Sequence, residues 1–162
     1  MSMVAPEIIQ YLIPAFILAL VGRMFAGHGL ASTSLILFVG VFVHECLHFL
    51  VGALLNAKPT HFSVFPKEEG GRYQLGHVCF ANLRWYNAIW VAMAPLLGVL
   101  LFAEWRVNAT EEFTFVAADI PALIVIAQVL LSSIPSAQDF RIALRSWPLI
   151  LLMGYIAWYW IR

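Results

Sequence analysis

Charge is scarce in this sequence. Asp, Glu, Lys and Arg make up 11% of its 162 residues and cancel to a formal net charge of zero. There is no run or stripe of Lys and Arg, so the electrostatic footprint of a nucleic-acid partner is missing. Cysteine is nearly absent as well. Cys46 falls in an apolar helical pattern and Cys79 in a strand-like stretch, so both are expected as separate buried thiols rather than as a disulfide. The first ten residues hold Glu7 and no Lys or Arg; lacking a positive n-region, the first apolar stretch is expected to be retained rather than cleaved as a signal peptide. No internal repeat or low-complexity tract breaks the chain into an array.

What fills the sequence is apolar: 62% of residues are hydrophobic and the mean hydropathy is +0.87, more than a soluble surface can cover with polar groups. Lipid is therefore the expected solvent. Apolar stretches at 8–21, 32–55, 86–102, 117–133 and 148–161 predict an all-α polytopic membrane protein with about five transmembrane helices. Trp85, Trp90, Trp105, Trp147, Trp158 and Trp160 cluster near the predicted ends, as interfacial anchors do. Residues 1–162 read as a single membrane domain, and its one long polar segment, about 57–84, alternates at 61–65 and 73–80 around a Gly-containing turn. That pattern predicts a β-hairpin between the second and third spans. With five spans, Lys58, Lys67, Arg72, Arg84, Arg141 and Arg145 share one side against Arg23, Arg106 and Arg162, which puts the hairpin and the site's opening on the cytoplasmic side of the cell membrane.

The second stretch carries His44-Glu45-Cys46-Leu47-His48. His44 and His48 are one helical turn apart and can reach one ion, while Glu45, displaced by about 100° around the axis, can address a water without ligating. This is the zinc-protease arrangement: the metal polarises a peptide carbonyl and acidifies water, and the Glu takes the proton. A chance HExxH in a chain of this composition has odds of about one in a hundred, and each ionisable group inside a span costs roughly 3 kcal/mol unless something such as a metal offsets it. The bland alternative is a set of polar residues that only ties helices together. Gly40 and Gly52 continue the face of the two histidines, as helix-packing positions or as room for a substrate backbone. Cys46 lies on the opposite side and is not counted as a ligand.

A catalytic zinc site takes three protein ligands, one zinc per chain. His28, His61, His77, Asp119, Asp139 and the loop glutamates are the candidates. The tail of the fourth stretch places Gln128, Ser132, Ser136 and Asp139 near one face at a depth matching His48, so Asp139 is the expected third ligand, with the other three supporting it or touching substrate. Pro135 lacks a backbone N–H and frees carbonyls that a cavity can use. The competing role for Asp139 is helix capping or pairing with Arg141, and His61 and His77 read first as surface residues.

With the motif at 44–48, a β-rich segment at 60–80, and Ser132-Ser-Ile-Pro-Ser-Ala-Gln-Asp139 in a later span, the chain resembles the site-2 protease family of intramembrane zinc metalloproteases over most of its length. The resemblance implies that His44, His48 and Asp139 bind zinc, that Glu45 is the catalytic base, and that membrane protein or peptide substrates are cut, held as an added β-strand. The late motif departs from that family's Asn-x-x-Pro and Leu-Asp-Gly: Ser132 stands in place of the Asn, and Phe140 follows Asp139 where the family has Gly. Two other readings stay open: a catalytically silent zinc-binding scaffold or chaperone, and a metal or ion transporter.

Overall fold

The computed structural model describes residues 6–25, 30–69, 72–98 and 119–162, together with 101 and 104. In chain order these form α1 (Pro6–Phe25), α2 (Leu30–Leu54), β1 (Pro59–Ser63), β2 (Lys67–Glu69), β3 (Arg72–Gln74), β4 (His77–Phe80), α3 (Ala88–Met93), α4 (Ile120–Ser132), α5 (Ala137–Ala143), a 3-10 turn (Leu144–Ser146) and α6 (Trp147–Ile161). His28, Trp105, Arg106 and the Gly70-Gly71 tip of the expected hairpin lie outside the described residues.

The expectation of an all-α protein with about five transmembrane helices is overturned. Among the described residues two helical runs, Leu37–Leu54 and Ala137–Ile161, are long and apolar enough to cross a bilayer. Hydropathy adds up apolar side chains whether or not the backbone runs unbroken through them, and here it does not. In the third stretch the six residues of α3 run into a turn at Ala94-Pro95, after which the described residues 96–98 are again helical. The fourth yields the 13 residues of α4, ending ahead of Pro135. At 1.5 Å per residue α4 is about 20 Å long, against roughly 30 Å of hydrocarbon. The assignment of sides, which alternated across five spans, loses its basis with them.

α4 packs against both α1 and α2. Ala15 and Ala19 of α1 meet Leu123, Ile126 and Ala127 of α4 in the buried core, with Leu12, Leu130 and Leu131 packed on it. On the α2 side a Cβ at Gly40 would run into the carbonyl of Gln128 and the hydroxyl of Ser132, so this glycine is what lets α4 lie against the helix that carries the histidines. α6 buries none of its residues.

α2 ends in a Schellman turn. Asn56 adopts φ 55°, its N–H bonds Ala53 O at 3.2 Å, and the Ala57 N–H bonds Gly52 O at 2.7 Å. The chain then reverses into an antiparallel ribbon. β1 pairs with β4 (His61 opposite Cys79, Phe62 opposite Val78, Ser63 opposite His77), and β2 pairs with β3. The inner face of the ribbon rests on α2: Phe62 meets Phe42 and Phe49 edge-on at 6.5 and 5.9 Å, and the Phe80 ring fills the space over Gly52. Both small residues flanking the histidines are thus covered by the protein itself. Cys46 is half-buried, but Cys79 is exposed on the ribbon, contrary to the expectation of two buried thiols; both are free.

Asn87, 1% exposed, ties the end of α2, the exit of β4 and the start of α3 together. Its Oδ1 accepts the Arg84 N–H at 2.7 Å, and its Nδ2 donates to Leu55 O at 3.2 Å and Asn82 O at 3.1 Å. Asn87→Ala leaves three part-buried backbone groups without this partner, and the expected loss is about 1–3 kcal/mol, read as a lowered unfolding midpoint in detergent.

Candidate metal centre

α2 presents His44 and His48 to the break between α4 and α5, and each imidazole is held from behind by a backbone carbonyl. His44 Nδ1 donates to Ser132 O at 2.5 Å, and His48 Nδ1 donates to Val91 O at 2.7 Å. A carbonyl oxygen can only accept, so in each ring the proton sits on Nδ1 and a neutral imidazole turns a bare lone pair outward from Nε2. Those two Nε2 atoms are 3.0 Å apart. Asp139 completes the group, its Oδ1 3.4 Å from His48 Nε2 and its Oδ2 3.8 Å from His44 Nε2.

With both imidazoles neutral, three electron-pair donors converge on one point, an arrangement that suits a cation. His44, His48 and Asp139 form a group that can hold a metal ion. The spacing fits a small divalent ion: ligands at about 2.05 Å in a tetrahedron stand about 3.3 Å apart, and the observed separations of 3.0, 3.4 and 3.8 Å bracket that value. All three side chains are largely shielded, with His48 and Asp139 6% and 7% exposed. The carbonyl contacts behind the imidazoles are the outer partners that orient metal-binding histidines.

Asp139 reaches the centre by a route that residue spacing does not reveal. It is not on the same helix as Gln128 and Ser132; α4 stops at Ser132, and Asp139 is the third residue of α5. There it closes a capping box, Oδ2 accepting the Ser136 N–H at 2.7 Å while Ser136 Oγ accepts the Asp139 N–H at 3.2 Å. Capping and facing the histidines were rival roles in the sequence; here one carboxylate does both, with Oδ1 left toward His48. Gln128 supports α2 instead, its Oε1 accepting the Val39 N–H at 3.1 Å.

Glu45, 7% exposed, lies on the same cavity wall and makes no hydrogen bond or ion pair among the described residues. The connection between β3 and β4 bears directly on it: a Cβ at Gly76 would stand 2.8 Å from Glu45 Cγ and 2.9 Å from Oε1. Nothing in the sequence pattern marked Gly76. The cavity measures about 840 Å³ and is walled by α2, by the 74–78 edge of the ribbon, and by the 131–142 segment. Arg141 also lines it. His61 and His77 stack on each other on the ribbon, ring centroids 5.0 Å apart, and with Asp119 they stand outside the group of three.

No family model, curated protein or solved structure matches the chain.

Proposed function

We propose that the protein is an intramembrane zinc metallopeptidase, in which His44, His48 and Asp139 hold one Zn²⁺ and Glu45 is the general base. The observation that carries the reading is the convergence of two Nε2 lone pairs and a carboxylate beside a shielded, uncommitted Glu45 carboxyl at one cavity wall. Zinc suits two imidazoles and one carboxylate with a fourth position open, and when bound it supplies Lewis acidity toward a carbonyl and a more acidic water. Glu45 then accepts the proton of the attacking water at its carboxylate and passes it to the leaving amine. A base with no hydrogen-bond partner of its own is free to make that exchange, whereas a purely structural zinc site needs no such group.

The substrate is a membrane-associated protein or peptide. Two helical runs long and apolar enough to span, and apolar side chains exposed along α1, α2 and α6, suit a chain embedded in lipid, where its substrate shares the bilayer. The 74–78 edge that borders the cavity offers an extended peptide a place to add as a strand.

The test is cleavage of a membrane-spanning test peptide by the protein in proteoliposomes. Cleavage is expected to cease on treatment with a zinc chelator and to return with added Zn²⁺. Cleavage that persists in the apoprotein, or metal-loaded protein that cuts none of a broad peptide set, would sink the peptidase reading and favour a silent zinc-binding scaffold.

A further inference from the structure

The carbonyls that hold the two imidazoles are not ordinary members of a helix ladder. In an α-helix the oxygen of residue i is taken by the N–H of residue i+4. For Val91 that residue is Pro95, which has no N–H, although the helical path continues beyond it with Leu97 N bonded to Ala94 O at 3.1 Å and Gly98 N bonded to Pro95 O at 3.0 Å. The remaining ladder contact to Val91 O is a long one of 3.4 Å from Ala94 N. For Ser132 the N–H at i+4 belongs to Ser136 and is spent on Asp139 Oδ2, while the N–H at i+3, which would close a tighter turn, is missing because the residue is Pro135. Both oxygens are thereby left for an imidazole N–H, His48 in one case and His44 in the other.

We infer that Pro95 and Pro135 are positioning residues of the metal centre: by withholding a backbone N–H, each frees the helix carbonyl that fixes one histidine with Nδ1 protonated and Nε2 bare. The inference rests on the metal-binding role of His44 and His48. Two histidines meeting the same problem by the same device, on different segments, is what sets these prolines apart from Pro14. That proline also lies inside a helix, but on α1. The device suits a low-dielectric site, where a freed carbonyl must find a donor and the imidazole is the donor at hand.

Pro95→Ala supplies the missing donor. Its new N–H competes for Val91 O, and His48 loses the contact that selects its tautomer. Removing the outer partner of a metal-binding histidine typically lowers metal affinity by about 10–100-fold, and a loss in that range is expected. The experiment compares wild type, Pro95→Ala and Pro14→Ala in detergent. Zinc affinity is read by competition with a chromophoric chelator, and the His48 tautomer is read from imidazole nitrogen chemical shifts of the metal-free protein.

Pro95→Ala is expected to bind zinc more weakly and to lose the single Nδ1-protonated signature of His48, with Pro14→Ala matching wild type in both. Because the substitution completes a helix rather than breaking one, the fold is expected to survive, and far-ultraviolet circular dichroism checks it. An unchanged tautomer in folded Pro95→Ala overturns the inference, as does an affinity no lower than that of Pro14→Ala. Wild-type protein that binds no zinc but keeps the Nδ1 tautomer, and loses it in Pro95→Ala, overturns the metal reading and leaves the role of the proline intact.

Discussion

Asp139→Ala is expected to leave the purified protein without stoichiometric zinc, although both histidines remain in place. In the native arrangement the carboxylate is the only anionic member of the group, 3.4 and 3.8 Å from the two Nε2 atoms. Two neutral imidazoles offer no charge to balance a divalent ion, so the loss should exceed the roughly 10–100-fold that removal of an outer partner costs. The substitution also deletes the side chain that caps α5, worth about 1 kcal/mol of fold stability, and the two effects must be separated. Ser136→Ala does this. It removes the hydroxyl that accepts the Asp139 N–H but keeps the carboxylate, so it should cost stability and retain zinc. Asp139→Asn is the complementary case, with an acceptor for the Ser136 N–H but no charge for the metal. Elemental analysis of the three variants beside wild type, purified without chelators, decides the matter. Full zinc in Asp139→Ala would remove Asp139 from the ligand set.

Asp139 also illustrates how far the sequence could be read. Its spacing puts it at the end of a polar stripe running down one helix through Gln128, Ser132 and Ser136. The structure does bring it against His44 and His48, yet the stripe does not exist as one helix face, because the backbone breaks at Pro135 and restarts with Ser136 as a cap. Spacing identified the residue; a turn, invisible to spacing, delivers it. The His44-Glu45-His48 triplet was legible for the opposite reason. It lies within a single unbroken helix, where sequence distance and geometry are the same thing.

Other features had no side-chain signature to find. The oxygens of Val91 and Ser132 belong to the backbone, and only the missing N–H of Pro95 and Pro135 hinted that they were available. Gly76 matters for what it lacks, and that becomes visible only once the ribbon is laid across Glu45. The number of spans fails for a related physical reason. A hydropathy window sums side chains, and the prolines that end α3 early and separate α4 from α5 act on the backbone instead.

Glu45→Gln is expected to keep the full complement of zinc and lose turnover by about 10²–10⁴-fold, the range in which general-base catalysis contributes. Glutamine is the informative substitution here because of Gly76. The amide has nearly the volume of the carboxyl, so the ribbon can remain seated where a Cβ on Gly76 would stand 2.8 and 2.9 Å from the Glu45 side chain. Alanine would open that space and let the ribbon settle toward α2, mixing a change of shape with a change of chemistry. Glutamine removes only the capacity to take a proton. Zinc content should be unchanged because the group that can hold the ion is His44, His48 and Asp139, with Glu45 beside it. Peptide cleavage in proteoliposomes, normalised to bound zinc, is the measurement. A Glu45→Gln protein that cleaves at the wild-type rate cannot be using Glu45 as base. One that loses its zinc instead would make Glu45 part of the metal's hold, leaving the water without a base on this wall of the cavity and moving the protein toward a metal-binding role without hydrolysis.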